Sequence, residues 1–230
     1  ARSRRISWAG SSTWTESMAR SDWSVSAVIS ASTWARAPVS EMTSRRASTP
    51  VVSSAGSPRW RRSRAACDGD AASTALYSPC ERYRYLLTRV WDPAGEKALF
   101  VMLNPSTATE FQNDPTVERC ERRARRLGFG AFEVVNIFAW RDTDPKVMKA
   151  SRDPIGPEND AAILHAADRA DQVIAAWGTH GAHLKRGEQV RDLLLGSGHD
   201  LFHLGLSQQG FPRHPLYISY GQLPQIWNIS

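Results

Sequence analysis

Phe132-Glu133-Val134-Val135-Asn136-Ile137-Phe138 packs five β-branched or aromatic side chains into seven positions. That density suits a short strand in a sheet covered on both faces, not one with a wet side. Asn136 interrupts the run. A carboxamide in such a setting is costly unless it is hydrogen-bonded, so the position calls either for a structural partner in a neighbouring loop or for a ligand.

Outward from this run the pattern stays regular. RYLLTRVW at 84–91 and ALFVML at 98–103 flank the turn sequence Asp92-Pro93-Ala94-Gly95, which predicts a strand pair joined by a short loop. Asp114-Pro115 supplies an N-cap and a proline at the first helical position, and Val117, Cys120, Ala124 and Leu127 follow at helical spacing up to Gly128. Gly156-Pro157 opens a second helix running to about Ala170. A third is expected over 181–195, with Leu184, Val190, Leu193 and Leu194 inward. QVIAAW at 172–177 and DLFHLG at 200–205 read as further buried strands. Strands alternating with helices predict an α/β domain: a three-layer sandwich with an open, mainly parallel sheet.

Composition divides the chain. Residues 1–75 hold 18 Ser, 14 Ala and 11 Arg, no Lys, and five of the nine Trp, a mixture with no core-building period. They carry 11 Arg against 5 acids, which leaves 18 basic and 18 acidic residues in 76–230. The high pI therefore belongs to the first segment, and a basic site on the folded domain would have to be local. Residues 1–75 are expected to be a disordered Arg/Ser/Ala-rich tail, and 76–230 a single α/β domain. The tail also reads as a transit-like segment or as upstream sequence translated from a start codon placed too early, and its scattered Trp and missing Lys favour the last of these.

No stretch has the length and apolarity of a membrane span, so no membrane partner is expected. Cys67, Cys80 and Cys120 form no C-x-x-C pair, and the histidines show no ligand spacing. The expectation is reduced thiols in a cytoplasmic protein with no metal and no cofactor. The oligomeric state is not legible.

In folds of this kind ligands lie outside the carboxyl ends of the strands. That rule selects Asn104-Pro105-Ser106-Thr107 after one strand, Asn136 with Phe138 and Trp140 after the next and Trp177-Gly178 after the third. The loop QGFPRHPLY at 209–217 adds Pro212, Arg213 and His214.

LNPSTA, NDPTVERC, VVNIFAW, IGPEND, AAWG and GFPRHPLY, in this order over about residues 80–220, closely resemble the bacterial family catalogued as domain of unknown function 1643. That family name carries no activity. A second and weaker resemblance of plan is to the uracil-DNA glycosylase superfamily. There a strand ends in an Asp-Pro or Asn-Pro loop, a later strand ends in an Asn that reads the base, another ends in Trp-Gly, and a late loop carries His-Pro. The corresponding residues here are Asn104-Pro105, Asn136, Trp177-Gly178 and His214-Pro215.

The second resemblance implies a nucleobase-recognising site that hydrolyses an N-glycosidic bond on a modified or unusual base. Its partner would be a nucleic acid or a nucleobase-containing small molecule. The implied roles follow from chemistry. Asn136 both donates and accepts, as reading a pyrimidine edge requires. His214 would donate to a carbonyl oxygen of the departing base, and Asn104 would position the water. Asp114 is an alternative base, although its reading as an N-cap already suffices. Ser106, Thr107 and Arg213 are expected to meet phosphate. Two other classes stay open: a module that binds a nucleotide or nucleic acid without cleaving it, and a hydrolase of a small nucleoside-like metabolite. Trp177-Gly178 also reads simply as a core indole and a turn glycine, and the arginines at 119, 122, 123, 125 and 126 as a solvated helix face.

Overall fold

Strand order is the feature that places the site, and it departs from the expected hairpin. The computed structural model describes residues 62–228, all within one compact unit, Ser53–Ser230. Its strands are β1 (Arg62–Asp68), β2 (Ala71–Tyr77), β3 (Arg84–Val90), β4 (Lys97–Met102), β5 (Ala131–Asn136), β6 (Gln172–Ala175), β7 (Leu201–His203) and β8 (Gln225–Ile226). They form one sheet in the order β1-β2-β3-β5-β4-β6-β7-β8. β3 and β4 do not pair with each other; β5 lies between them, antiparallel to β3 and parallel to β4.

Two glycines permit this hop. Trp91 and Asp92 both donate their N–H groups to the Gly130 carbonyl, at 3.0 and 2.9 Å, and Gly130 N–H donates back to Glu96 O at 2.8 Å. A Cβ on Gly130 would lie 2.3 Å from Asp92 O, and one on Gly95 would lie 2.8 Å from the Gly130 Cα. The turn after β3 therefore passes directly under the start of β5, which no larger residue would allow.

The expectation of a mainly parallel sheet is overturned. β5, β4, β6 and β7 are mutually parallel, but β1-β2, β2-β3, β3-β5 and β7-β8 are antiparallel, so four of the seven pairings run the other way. The difference arises at the edges. β1 and β2 fall inside the segment expected to be a tail, and the proposed boundary at residue 75 cuts through β2. Positions 1–61 of that segment lie outside the described residues. β2 is rich in Ala, Ser and Thr and so looks unlike a core strand, yet Ala71, Ser73, Ala75 and Tyr77 face inward. The buried Ser73 hydroxyl is satisfied by Arg89, which removes the usual penalty for a core serine.

Helices cover both faces. On one side α1 (Pro115–Arg126) sets Val117, Cys120 and Ala124 against Phe100, Met102, Phe132 and Val134. On the other, α3 (Asn159–Ala167) and α4 (Arg186–Gly196) set Ile163, Ala166, Val190 and Leu194 against Leu99, Val101, Val135 and Val173. Alternate residues of β4 thus feed opposite layers, each buried aliphatic or aromatic side chain contributing about 1.5–3 kcal/mol. A short helix α2 (Pro145–Ala150) and a 3-10 segment (Thr179–Lys185) follow β5 and β6. Among the described residues no helix is long and apolar enough to cross a membrane.

Candidate functional site

β4 and β5 are parallel neighbours with Met102 opposite Asn136, so their exits emerge at the same edge of the sheet. A cavity of about 630 Å³ opens there, within the general scale of small-ligand clefts. Asn104, Asn136 and His214 all line it, together with Ser106, Asp114 and Arg213. Trp177 and Gly178 reach it as well, whereas Pro105, Thr107, Phe138 and Pro212 do not. Phe138 is fully buried in the core beneath α3 and α4, its ring 5.6 Å from that of His183.

The exit of β4 is tied to the loop after β5. Asn104 Nδ2 donates to Asp142 O at 2.7 Å and to Pro105 O at 3.2 Å, while Asp142 N–H donates to Pro105 O at 3.0 Å. Two carbonyl acceptors fix which end of the amide is nitrogen. Asn104 Oδ1 is then the free end, with no donor among the described residues.

The exit of β5 is held from behind. The fully buried Asn159 donates from Nδ2 to Asn136 O at 2.8 Å and to Ile137 O at 3.1 Å, and Arg186 Nε donates to Ile137 O at 2.9 Å. This clamp occupies the main-chain carbonyls and leaves the Asn136 side chain on the cavity wall. Asn136 is buried, at 2% exposure, yet its Nδ2 has no hydrogen-bond partner among the described residues. Leaving a buried amide donor bare costs about 1–3 kcal/mol.

Asp114 caps α1. Its Oδ1 accepts from Thr116 N–H at 3.0 Å and Val117 N–H at 2.8 Å, and Oδ2 accepts from Ala108 N–H at 3.3 Å. Both oxygens are engaged by backbone donors, which is the N-cap reading and leaves little lone-pair capacity for a general base.

His214 sits at the head of a 3-10 turn, Pro215–Tyr217, and its Nδ1 accepts a long 3.4 Å hydrogen bond from Leu216 N–H. Burial pushes its pKa below the ordinary histidine value, with the Asp114 carboxylate pulling weakly the other way. The ring is therefore neutral at pH 7, and an accepting Nδ1 leaves the proton on Nε2. The loop is anchored at both ends. Gly178 N–H donates to Pro212 O at 2.8 Å, and Arg123 on α1 donates to Gln222 O, Ile218 O and Ser219 O. Arg119 adds a bond to Ile218 O at 2.9 Å. Arg119 and Arg123 are thus not part of a solvated helix face; Arg123 is buried and straps the residues after His214 to α1.

Trp177 resolves largely to the structural reading. Its indole is buried against α4, and a Cβ on Gly181 would come within 2.2 Å of the ring.

Sequence reasoning missed two cavity residues of consequence. Arg84, on β3, lines the cavity at 2% exposure, and burial lowers its pKa to about 10. Its Nη1 donates to Ala108 O, supporting the loop after Asn104 from below. Asp142 lines the cavity and accepts from Asp144 N–H at Oδ1, at 2.9 Å. Two arginines in a short buried strand, RYLLTRV, were the available signal for the first. Among the described residues no group of three or more His, Cys, Asp or Glu is placed to hold a metal.

These features define an α/β protein with a partly buried cavity, lined by both polar and apolar groups, at the carboxyl edge of a mixed sheet. Residues 84–216 match the family described as "Protein of unknown function (DUF1643)", and the chain belongs to that family. No curated protein and no solved structure matches it.

Proposed function

We propose that the cavity recognises a nucleobase and that its plan is that of a DNA glycosylase, hydrolysing the N-glycosidic bond of a modified or unusual base. The observation that carries this reading is the buried, unpartnered Asn136 Nδ2 on the wall shared with Asn104 and His214. A ligand acceptor in the cavity would complete this donor, and the buried Trp177 Nε1 on the same lining is likewise without a partner among the described residues. The chain order of Asn104-Pro105, Asn136, Trp177-Gly178 and His214-Pro215, which resembles the uracil-DNA glycosylase superfamily, supports the same assignment.

Each residue then has one task. Asn136 bonds the edge of the base. The Nε2–H of neutral His214 donates to a carbonyl oxygen of the base as negative charge develops on it, so that no proton need first be gained. Asn104 Oδ1 accepts from a water and orients it toward the sugar carbon. The water oxygen bonds to that carbon, the carbon–nitrogen bond breaks toward the base, and the water proton ends on the released base. An amide orients a water without deprotonating it, so slow turnover is expected.

The engagement of both Asp114 oxygens favours a second reading, recognition without cleavage. One panel separates the two. Duplex and single-stranded DNA carrying modified bases is assayed for base release and, in parallel, for binding. Release that falls by about 10²–10³ in His214→Ala and is lost in Asn136→Ala supports the glycosylase reading. Binding without release, sensitive to Asn136→Ala, supports recognition alone. Release or binding indifferent to both substitutions removes the cavity from consideration.

A further inference from the structure

A second cavity, of about 440 Å³, abuts the first: Ser106, Asp142 and Thr143 line both. Its remaining wall is Glu81, Arg82, Thr107, Trp140 and Arg141. The wall between the cavities is rigid, because it consists of the two loops joined by the Asn104 and Asp142 hydrogen bonds.

The polar groups of this second cavity are donors in excess. The Glu81 carboxylate is already held by Arg64 Nη2 at 2.7 Å, and Asp142 spends one oxygen on Asp144 N–H. Arg82 is exposed and makes no ion pair or hydrogen bond from its guanidinium among the described residues. Arg141 is fixed, with its guanidinium 5.0 Å from the centre of the Tyr77 ring and Nη1 donating to Glu81 O at 3.1 Å, and its buried Nε has no partner among the described residues. The hydroxyls and main-chain N–H groups of Ser106 and Thr107 likewise meet no acceptor among the described residues. Glu81 is neutralised by Arg64, which also lies 3.6 Å from Glu110, so within the cavity Arg82 and Arg141 face the single available carboxylate of Asp142, beside a set of free donors. That combination fits a singly charged, oxygen-rich anion. The half-buried indole of Trp140 offers an apolar surface beside it.

We propose that the second cavity holds a phosphate group covalently attached to the ligand whose base fills the first. This rests on the base reading above and narrows it: the ligand is a nucleotide, free or within a strand, and not a bare base or nucleoside. Arg82 and Arg141 are its cationic contacts, with Ser106 and Thr107 as neutral donors.

The experiment is a calorimetric titration of the full chain with the four 2′-deoxynucleosides, their 3′- and 5′-monophosphates, a short mixed-sequence single strand and the same strand made fully abasic. Phosphorylated probes are expected to bind at least about tenfold tighter than nucleosides, with the advantage shrinking as salt rises. Arg82→Glu should abolish the advantage while leaving nucleoside affinity unchanged, and since Arg82 is exposed its urea midpoint should match that of the parent. An advantage already present in a monophosphate identifies a free nucleotide; one that appears only with the strand identifies a phosphodiester. Equal binding of nucleosides and phosphorylated probes, or an advantage that survives Arg82→Glu, overturns the subsite and spares the base reading. Binding of the abasic strand through Arg82, with no nucleoside binding and no effect of Asn136→Ala, keeps the anion subsite and removes the base reading. No binding by any probe removes both.

Discussion

Asn104 and Asn136 leave adjacent parallel strands at one edge of the sheet and line one cavity, yet their amide nitrogens are in opposite states. At Asn104 the nitrogen closes two loop carbonyls. At Asn136 the main chain is clamped by Asn159 while the side-chain nitrogen is buried and bare. The same residue type therefore builds the frame at one strand exit and leaves an unmet demand at the next. Only the second is unfavourable in the empty protein, which is why it points to a ligand more strongly than the first.

The sharpest way to break this contrast is to remove the clamp. Among the described residues, Asn159→Ala strips the only side-chain donor from the Asn136 carbonyl and one of two from Ile137. It should destabilise the domain by about 1–3 kcal/mol, the cost of taking the side-chain donor from the buried Asn136 carbonyl while Ile137 O keeps Arg186, read as a lowered urea midpoint. No change would mean that β5 is held by its ladder alone. The next test has the opposite sign. Asn136→Leu replaces a bare buried amide by an apolar group of similar size, and should leave stability unchanged or raise it by about 1–2 kcal/mol, while ligand affinity is lost. A clear loss of stability would reveal a partner for the Asn136 amide and equate the two asparagines. Asn104→Ala should cost about 1 kcal/mol, because its two bonds are only partly buried and water can replace them.

How much of this was legible in the sequence depends on how local the cause is. The Asp114 cap, Pro115 and the Val117, Cys120, Ala124 stripe identified α1, because each signal acts within one or two turns. Asp144-Pro145 carries the same signal before α2 and went unused. The 3-10 segment defeated the helix expected over 181–195: Leu184 and Lys185 both have φ of 54°, so α4 starts at Arg186 and Leu184 is exposed instead of inward. The insertion of β5 between β3 and β4 is a long-range pairing that no local turn signal reports, although Gly95 and Gly130 mark where the chain crosses. For the site, the alternation of strands and helices selected Asn104, Asn136 and His214 as edge residues, and all three line the one cavity. Arg84 was not, since its acceptor is a carbonyl 24 residues away. Phe138, two residues past the strand end, turns its side chain into the opposite layer and does not line the cavity.

The smallest expected effect concerns the third cavity residue, which titrates where the asparagines do not. Burial depresses the pKa of His214, and also those of His180 and His203. As pH falls below about 6.5, the ordinary histidine value, the unfolded chain takes up protons before the folded one, so stability is fully present above that pH and is lost as pH drops through the depressed folded values. Protonating His214 also removes the Nδ1 acceptor of Leu216 N–H, which loosens the turn after it. Urea midpoints measured from pH 7.5 to 5 should therefore fall for the parent chain and fall less for His214→Gln. The same series on Asn104→Ala and Asn136→Leu should run parallel to the parent, shifted down and up respectively but with unchanged slope. Equal slopes for the parent and His214→Gln would show that His214 titrates alike in both states and would detach it from the buried wall on which the two asparagines lie.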